Sequence, residues 1–162
     1  MTDIFKTAAV KASGINAEHP LAAVLSERSD IMAMTQQSHD AAIIPSDPGG
    51  LPHSLRAALA CRMARLNHEE AMATHFTALA GEDHEQVCDP AYDGGADGRL
   101  CAIIRHTDLT TVDVKSTVSD DIEALKAAGV SEDDIVRLSQ LVAFVNYQVR
   151  LATGLRILGE MS

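Results

Sequence analysis

The chain predicts an all-α fold, and three observations carry that expectation. Its apolar residues make up 46% of 162, yet aromatics are only 3% and tryptophan is absent. The core must therefore be assembled from Ala, Leu, Ile, Val and Met, the composition of close-packed helices. Apolar side chains recur at helical spacing over long stretches instead of alternating. In the last of these, Ile135, Leu138, Val142, Val145, Val149, Ala152 and Leu155 keep one stripe for about seven turns, too long for a strand.

Taken in order, a weak helical signal covers Ile4 to Lys11, and Pro20 stands at a first-turn position before Leu21, Val24 and Leu25. Ser29 and Asp30 can cap a helix carrying Ile31, Met34 and Ile43 or Ile44, which Pro45-Ser46-Asp47-Pro48-Gly49-Gly50 breaks. Leu55, Leu59, Met63 and Leu66 place a helix over about 53 to 66. A turn at Asn67 leads into a second over about 68 to 80, with Gly81 as a left-handed cap. Asn67 as N-cap with Glu70 three residues on reads as a capping-box variant. Residues 82–98, with Asp89-Pro90, Asp93-Gly94-Gly95 and Asp97-Gly98, read as a mobile polar loop outside the core. Leu100, Ile103, Ile104 and Thr107 share a face, and Ser119 caps a short helix closed by Gly129. Ser131 and Asp134 then open the long final helix, with Asp where a capping box usually has Glu. A single domain spanning 1–162 follows, with 1–44 as an N-terminal helical extension and 45–162 as its core.

The formal charge of −10 repels phosphate backbones and anionic lipid, so neither nucleic acid nor a membrane is an expected partner. No apolar run reaches the roughly 18 residues of a membrane span, and the N-terminus lacks the pattern of a secretory signal. Cytoplasmic localisation is expected. Cys61, Cys88 and Cys101 are too widely spaced for a zinc pattern and odd in number, so they are read as reduced thiols, with Cys61 an inert core residue and Cys88 lying in the acidic loop.

Three stretches carry a family likeness: Asp47-Pro48-Gly49-Gly50-Leu51 leading into a helix, Ala64-Arg65-Leu66-Asn67 at a helix–helix corner, and Ser139-Gln140-Leu141-Val142-Ala143-Phe144-Val145-Asn146-Tyr147-Gln148-Val149-Arg150 in the last helix. Over about residues 40 to 160 the chain resembles the alkylhydroperoxidase D-like, carboxymuconolactone decarboxylase family, in its peroxidase-related branch. The resemblance implies a helical bundle whose central helix hairpin bears the active centre, and homo-oligomers, trimers or hexamers. In redox-active relatives the first hairpin helix gives a glutamate, and the second opens with Cys-x-x-Cys followed by a histidine. Helix N-termini lower thiol pKa values, and carboxylate and imidazole move the proton that peroxide reduction needs. Laid on this chain without gaps, the glutamate place falls on Ala57, the cysteines on Glu69 and Met72, and the histidine on Phe76.

That leaves a peroxidase-type scaffold with a degenerate active site. The leading expectation is a non-peroxidatic small-molecule binding or assembly protein. The alternatives are a thiol-independent decarboxylase or isomerase with Glu69 as base and His68 or His75 as acid, or a peroxidase-related antioxidant protein completed by a partner subunit. No cofactor is expected. His68-Glu69-Glu70-Ala71-Met72 departs from the zinc protease motif at Met72, and His68 and His75 are separated by about 10 Å of helix, so no metal is expected unless His106 or an acidic group joins. Asn146, Gln148 and Arg150, polar side chains on an apolar helix, call for partners at a subunit contact or in a pocket.

Overall fold

The computed structural model describes residues 3–162, which form eight α-helices and three 3-10 segments, with no strand among them. The helices are α1 (Ala8–Ser13), α2 (Ala22–Ser26), α3 (Ser29–Ile43), α4 (His53–Leu66), α5 (Glu70–Ala80), α6 (Gly98–Val112), α7 (Ser119–Ala127) and α8 (Glu132–Glu160). The all-α expectation holds.

Helix α4 is the hub. Burial extends from Leu55 through Ala64 without interruption, so it is wrapped on all sides. α5, α6 and α8 pack around it, together with the 3-10 segment Glu82–Cys88. Ala57, Ala58, Ala60 and Ala64 let those neighbours approach closely, while Leu59 and Met63 fill the spaces between them. Each such fully buried large side chain is worth about 1.5–3 kcal/mol. Along α8, Leu138, Leu141, Val142, Val145, Val149 and Ala152 face this core. Ile4, Val10, Ile15, Leu25 and Met32 form a second cluster closing over Leu155 near the end of α8. The N-terminal segment is thus packed onto the last helix.

Two buried arginines shape the loops, a role that residue spacing does not reveal. Arg56 donates to the carbonyls of Leu51, Ala42 and Pro48 and so fixes the break between α3 and α4. Arg62 donates to both carboxylate oxygens of Asp108 at 2.6 and 2.7 Å. It also reaches the carbonyls of Asp89, Pro90 and Tyr92. Residues 82–98 are therefore not the unattached polar loop expected: 82–88 form a 3-10 segment, and Val87 and Cys88 belong to the core.

Other boundaries shift for local reasons. Asn67 is the C-cap of α4, not the N-cap of α5; its amide nitrogen is drawn to the Met63 carbonyl at 2.8 Å. The N-cap of α5 is Glu69, one residue after His68, which turns the corner at φ 58°. A left-handed backbone at a residue other than glycine is uncommon and marks a forced corner. Gly81 has positive φ but an extended ψ of −174°, which leads the chain away without a left-handed cap. Pro20 precedes a helix of only five residues, with Leu21 at its N-cap. α7 is capped from Val118, whose N–H donates to Asp121, leaving Ser119 as the first helical residue.

At the start of α8, Ser131 Oγ accepts from the Asp134 N–H as expected. The Asp134 carboxylate does not return to the cap. It accepts from the Gly50 N–H at 2.9 Å and pairs with Arg137 and Arg99, so that α8 grips the loop before α4. A side chain on Gly50 would collide with that carboxylate.

Candidate functional site

The α4–α5 corner delivers the sequence candidates to different places. Glu69 is 2% exposed, and one carboxylate oxygen accepts from Thr153 Oγ1 and Arg156 Nη2, each at 2.8 Å. It is a structural ion pair fastening the start of α5 to α8, so the charge of the expected base is already paired through one oxygen. His68 is exposed at the corner. Of the other positions onto which the resemblance projects chemistry, Ala57, Met72 and Phe76 are completely buried in the main core.

His75 has a partner from outside the hairpin. Its Nε2 lies 3.3 Å from Nε2 of His39 on α3, and His39 Nδ1 lies 2.9 Å from Gln148 Oε1 on α8. Phe76 stacks on His39 with ring centroids 5.7 Å apart. One arrangement satisfies both contacts: with Gln148 Oε1 accepting, His39 donates from Nδ1 and accepts at Nε2 from His75. His75 Nδ1 is then left with a free lone pair. Gln148 Nε2, on a fully buried residue, has no partner among the described residues.

His75 lines a cleft of about 440 Å³ between α1 and α5, with Lys11, Thr74 and Leu79 on its walls. Burial, reinforced by His39 and Lys11, lowers its imidazole to about 4, so it is neutral at pH 7. Glu69 and His75 stand six residues apart on the chain, about 9 Å of helical rise, and their partners on α8 are Thr153 and Arg156 in one case and Gln148, through His39, in the other. They are not one acid–base pair.

These groups give a pH dependence with a definite sign. Because folding lowers the pKa of His75 from 6.5 to about 4, the unfolded chain takes up the proton first, and stability declines as pH falls from about 6.5 to about 4. At Asp134 burial alone would raise the carboxyl, but hydrogen bonds from Gly50, Ser131 and Arg137 outweigh it and hold the group below its ordinary range. Its contribution is present above the unfolded carboxylate pKa and disappears as pH falls through the lowered folded value. Melting temperature against pH should therefore fall in two limbs. His75→Gln should make the upper limb shallower without removing it, because burial lowers His106 as well and acts with the same sign, and should leave the lower limb as it is; an unchanged upper limb would remove His75 from its cause.

A second cleft, of about 450 Å³, opens between α6 and α8. Val112, Val114, Val142 and Ala143 give it apolar walls, and His106, Asn146 and Arg150 supply polar groups. His106 is 8% exposed, and its Nδ1 has no partner among the described residues. Burial lowers its pKa, with Asp121 opposing and Arg105 adding to the shift. Asn146 is held by Asn67 Nδ2 and by its own bond to the Val142 carbonyl, while Arg150 Nη1 rests on the Asn146 carbonyl at 3.0 Å. Asn146 and Arg150 thus line a pocket, the sharper of the two roles their sequence positions suggest. Gln148 points the other way, into the His39 relay.

Sequence reasoning missed His39, although Met32, Thr35, His39 and Ile43 mark one buried helical face. Among the described residues no three His, Cys, Asp or Glu side chains gather as a metal site, and no helix is long and apolar enough to cross a membrane. No family model matches the chain, and neither a curated protein nor a solved structure matches it.

Proposed function

We propose that the chain is a non-peroxidatic small-molecule binding protein on an alkylhydroperoxidase D-like scaffold, working as a homo-oligomer. The observation that carries this reading is the α6–α8 cleft, an apolar slot with a guanidinium at its rim and an under-satisfied imidazole in its wall. Ligand sites combine apolar walls with a few polar groups in this way. Arg150 suits a carboxylate, and the valines suit a compact apolar body. The dithiol positions support the loss of peroxidase chemistry, since Glu69 is locked to Arg156 and Met72 is core. Exposed Ile31, Met34 and Tyr147 on α3 and α8 support assembly.

Calorimetric titration with benzoate tests the ligand reading. Saturable binding is expected, weakened tenfold or more in Arg150→Ala, whose exposed side chain can be removed without disturbing the core. Binding of equal strength in the variant would overturn the assignment. Light scattering should give a multiple of the 17.2 kDa chain mass, three or six by the resemblance; a monomer at micromolar concentration would sink the assembly part.

A second reading is favoured by one feature, the neutral His75 beside Lys11 in the α1–α5 cleft. A thiol-independent enzyme would use His75, oriented by His39, as its base, in place of Glu69.

A further inference from the structure

Most polar side chains in the α6–α8 cleft have their hydrogen-bonding capacity committed. Thr110 and Thr111 turn their hydroxyl hydrogens back to carbonyls of α6, at His106 and Thr107. Ser139 does the same on α8, donating to the Ile135 carbonyl. Asn146 is tied at both ends of its amide, accepting from Asn67 and donating to the Val142 carbonyl. His106 is different: it is 8% exposed, yet its Nδ1 has no partner among the described residues. Leaving a buried polar atom unpaired costs free energy, and a ligand that pairs it relieves that cost.

The ring also has room to turn. His106 and Thr110 form the wall between the cleft and a smaller recess of about 290 Å³, lined on its far side by Thr117, Val118 and Ile122. Space on both sides lets the imidazole rotate about χ2, a broad and roughly two-fold torsion, and bring either nitrogen to the cleft. Burial lowers its pKa from 6.5, so the ring is neutral at pH 7 and carries one donor and one acceptor.

The cleft has a direction. Arg99 in the first turn of α6 pairs with Asp134 in the first turn of α8, and both helices continue along the cleft, so they run the same way. His106 lies about two turns beyond Arg99, whereas Arg150 lies more than about four turns beyond Asp134. The imidazole and the guanidinium therefore stand towards opposite ends, with Val142 and Ala143 between them. Arg150 Nη1 rests on the Asn146 carbonyl, which lays the guanidinium back along α8 and leaves its other nitrogens to meet a carboxylate.

We propose that this cleft selects carboxylates bearing a hydroxyl at the far end of a compact apolar body, and that His106 is the residue that sets this specificity. The inference rests on the α6–α8 cleft being a small-molecule site. Arg150 takes the acid end, the valines enclose the body, and the hydroxyl, which can both donate and accept, completes whichever tautomer of His106 it meets. A methyl group of similar size fills the same space and leaves the imidazole unpaired. Discrimination between hydroxyl and methyl therefore reports on His106.

Calorimetric titration with 4-hydroxybenzoate and 4-methylbenzoate supplies the test. The wild type should bind the hydroxy acid more tightly by about tenfold or more. In His106→Phe that preference should be lost, whereas Arg150→Ala should weaken both acids and keep it. If the Phe variant does not fold, the imidazole ¹⁵N shifts of His106 in the wild type carry the test: they should move with 4-hydroxybenzoate and stay near their free values with 4-methylbenzoate. Equal affinity for the two acids, or His106 shifts that do not distinguish them, would overturn the specificity and leave an apolar acid site. A preference undiminished in His106→Phe would assign the hydroxyl to another group and overturn it as well. No saturable binding of either acid would remove the site itself, and this inference with it.

Discussion

Replacing Arg62 by Met should cost about 3 kcal/mol of folding stability, the lower end of the range for breaking a buried charge pair, because Asp108 is 32% exposed and water takes up part of its charge. The guanidinium is almost wholly enclosed and serves both oxygens of Asp108 together with a ring of loop carbonyls. Methionine fills much of the volume but donates nothing, so those acceptors lose their common donor. Lys restores the charge but not the planar fork and should recover only part of the loss. For a chain of this size the melting temperature should fall by roughly 10 °C. Amide exchange should accelerate first over residues 82–97. A loss below about 1 kcal/mol would show that the loop is held by Val87 and Cys88 burial, with the arginine incidental.

Glu69→Gln should also destabilise the fold, by about 1–3 kcal/mol, because it neutralises the acceptor for Thr153 and Arg156. Arg156 is 39% exposed along its side chain, so water can take up part of its charge, and the cost stays below that at Arg62. Arg156→Met should also lower stability, and the double variant should cost less than the two single losses added. Had Glu69 been a general base kept unpaired in a pocket, the amide would raise stability. Thermal melts of the four proteins decide between these signs, and additive losses would show that the pair is not coupled.

How much was legible in advance varies with the range of the forces involved. α4 could be bounded from sequence because Pro and Gly break the chain before it and its apolar spacing ends at Leu66. The long α8 was legible for the same reason, and Ser131 capped it as read. The α4–α5 corner was misplaced by one turn of logic: Asn67 looked free to cap forwards, but its amide is claimed by Met63 behind it and by Asn146 of α8. The 82–98 segment looked solvated because its own residues are polar; the arginine that gathers its carbonyls lies 25 residues before Val87. His75 was singled out, but its partner His39 lies 36 positions away on α3. Glu69 looked like either a helix-end residue or a base, and its role as a buried anchor depends on residues 84 and 87 positions later. Local rules placed the helices; which polar side chains meet was decided by contacts that no spacing encodes.

The central claim, that the α6–α8 cleft takes a small ligand, is tested most directly by titrating benzoate into the ¹⁵N-labelled chain and mapping backbone amide shifts. The claim predicts saturable shifts confined to residues 106–114 of α6 and the turn after it and to residues 139–150 of α8, lost in Arg150→Ala. Shifts centred on Lys11, Thr74 and His75 would contradict it and move the site to the α1–α5 cleft, and no saturable shift on either pair of elements would contradict binding of a small carboxylate altogether.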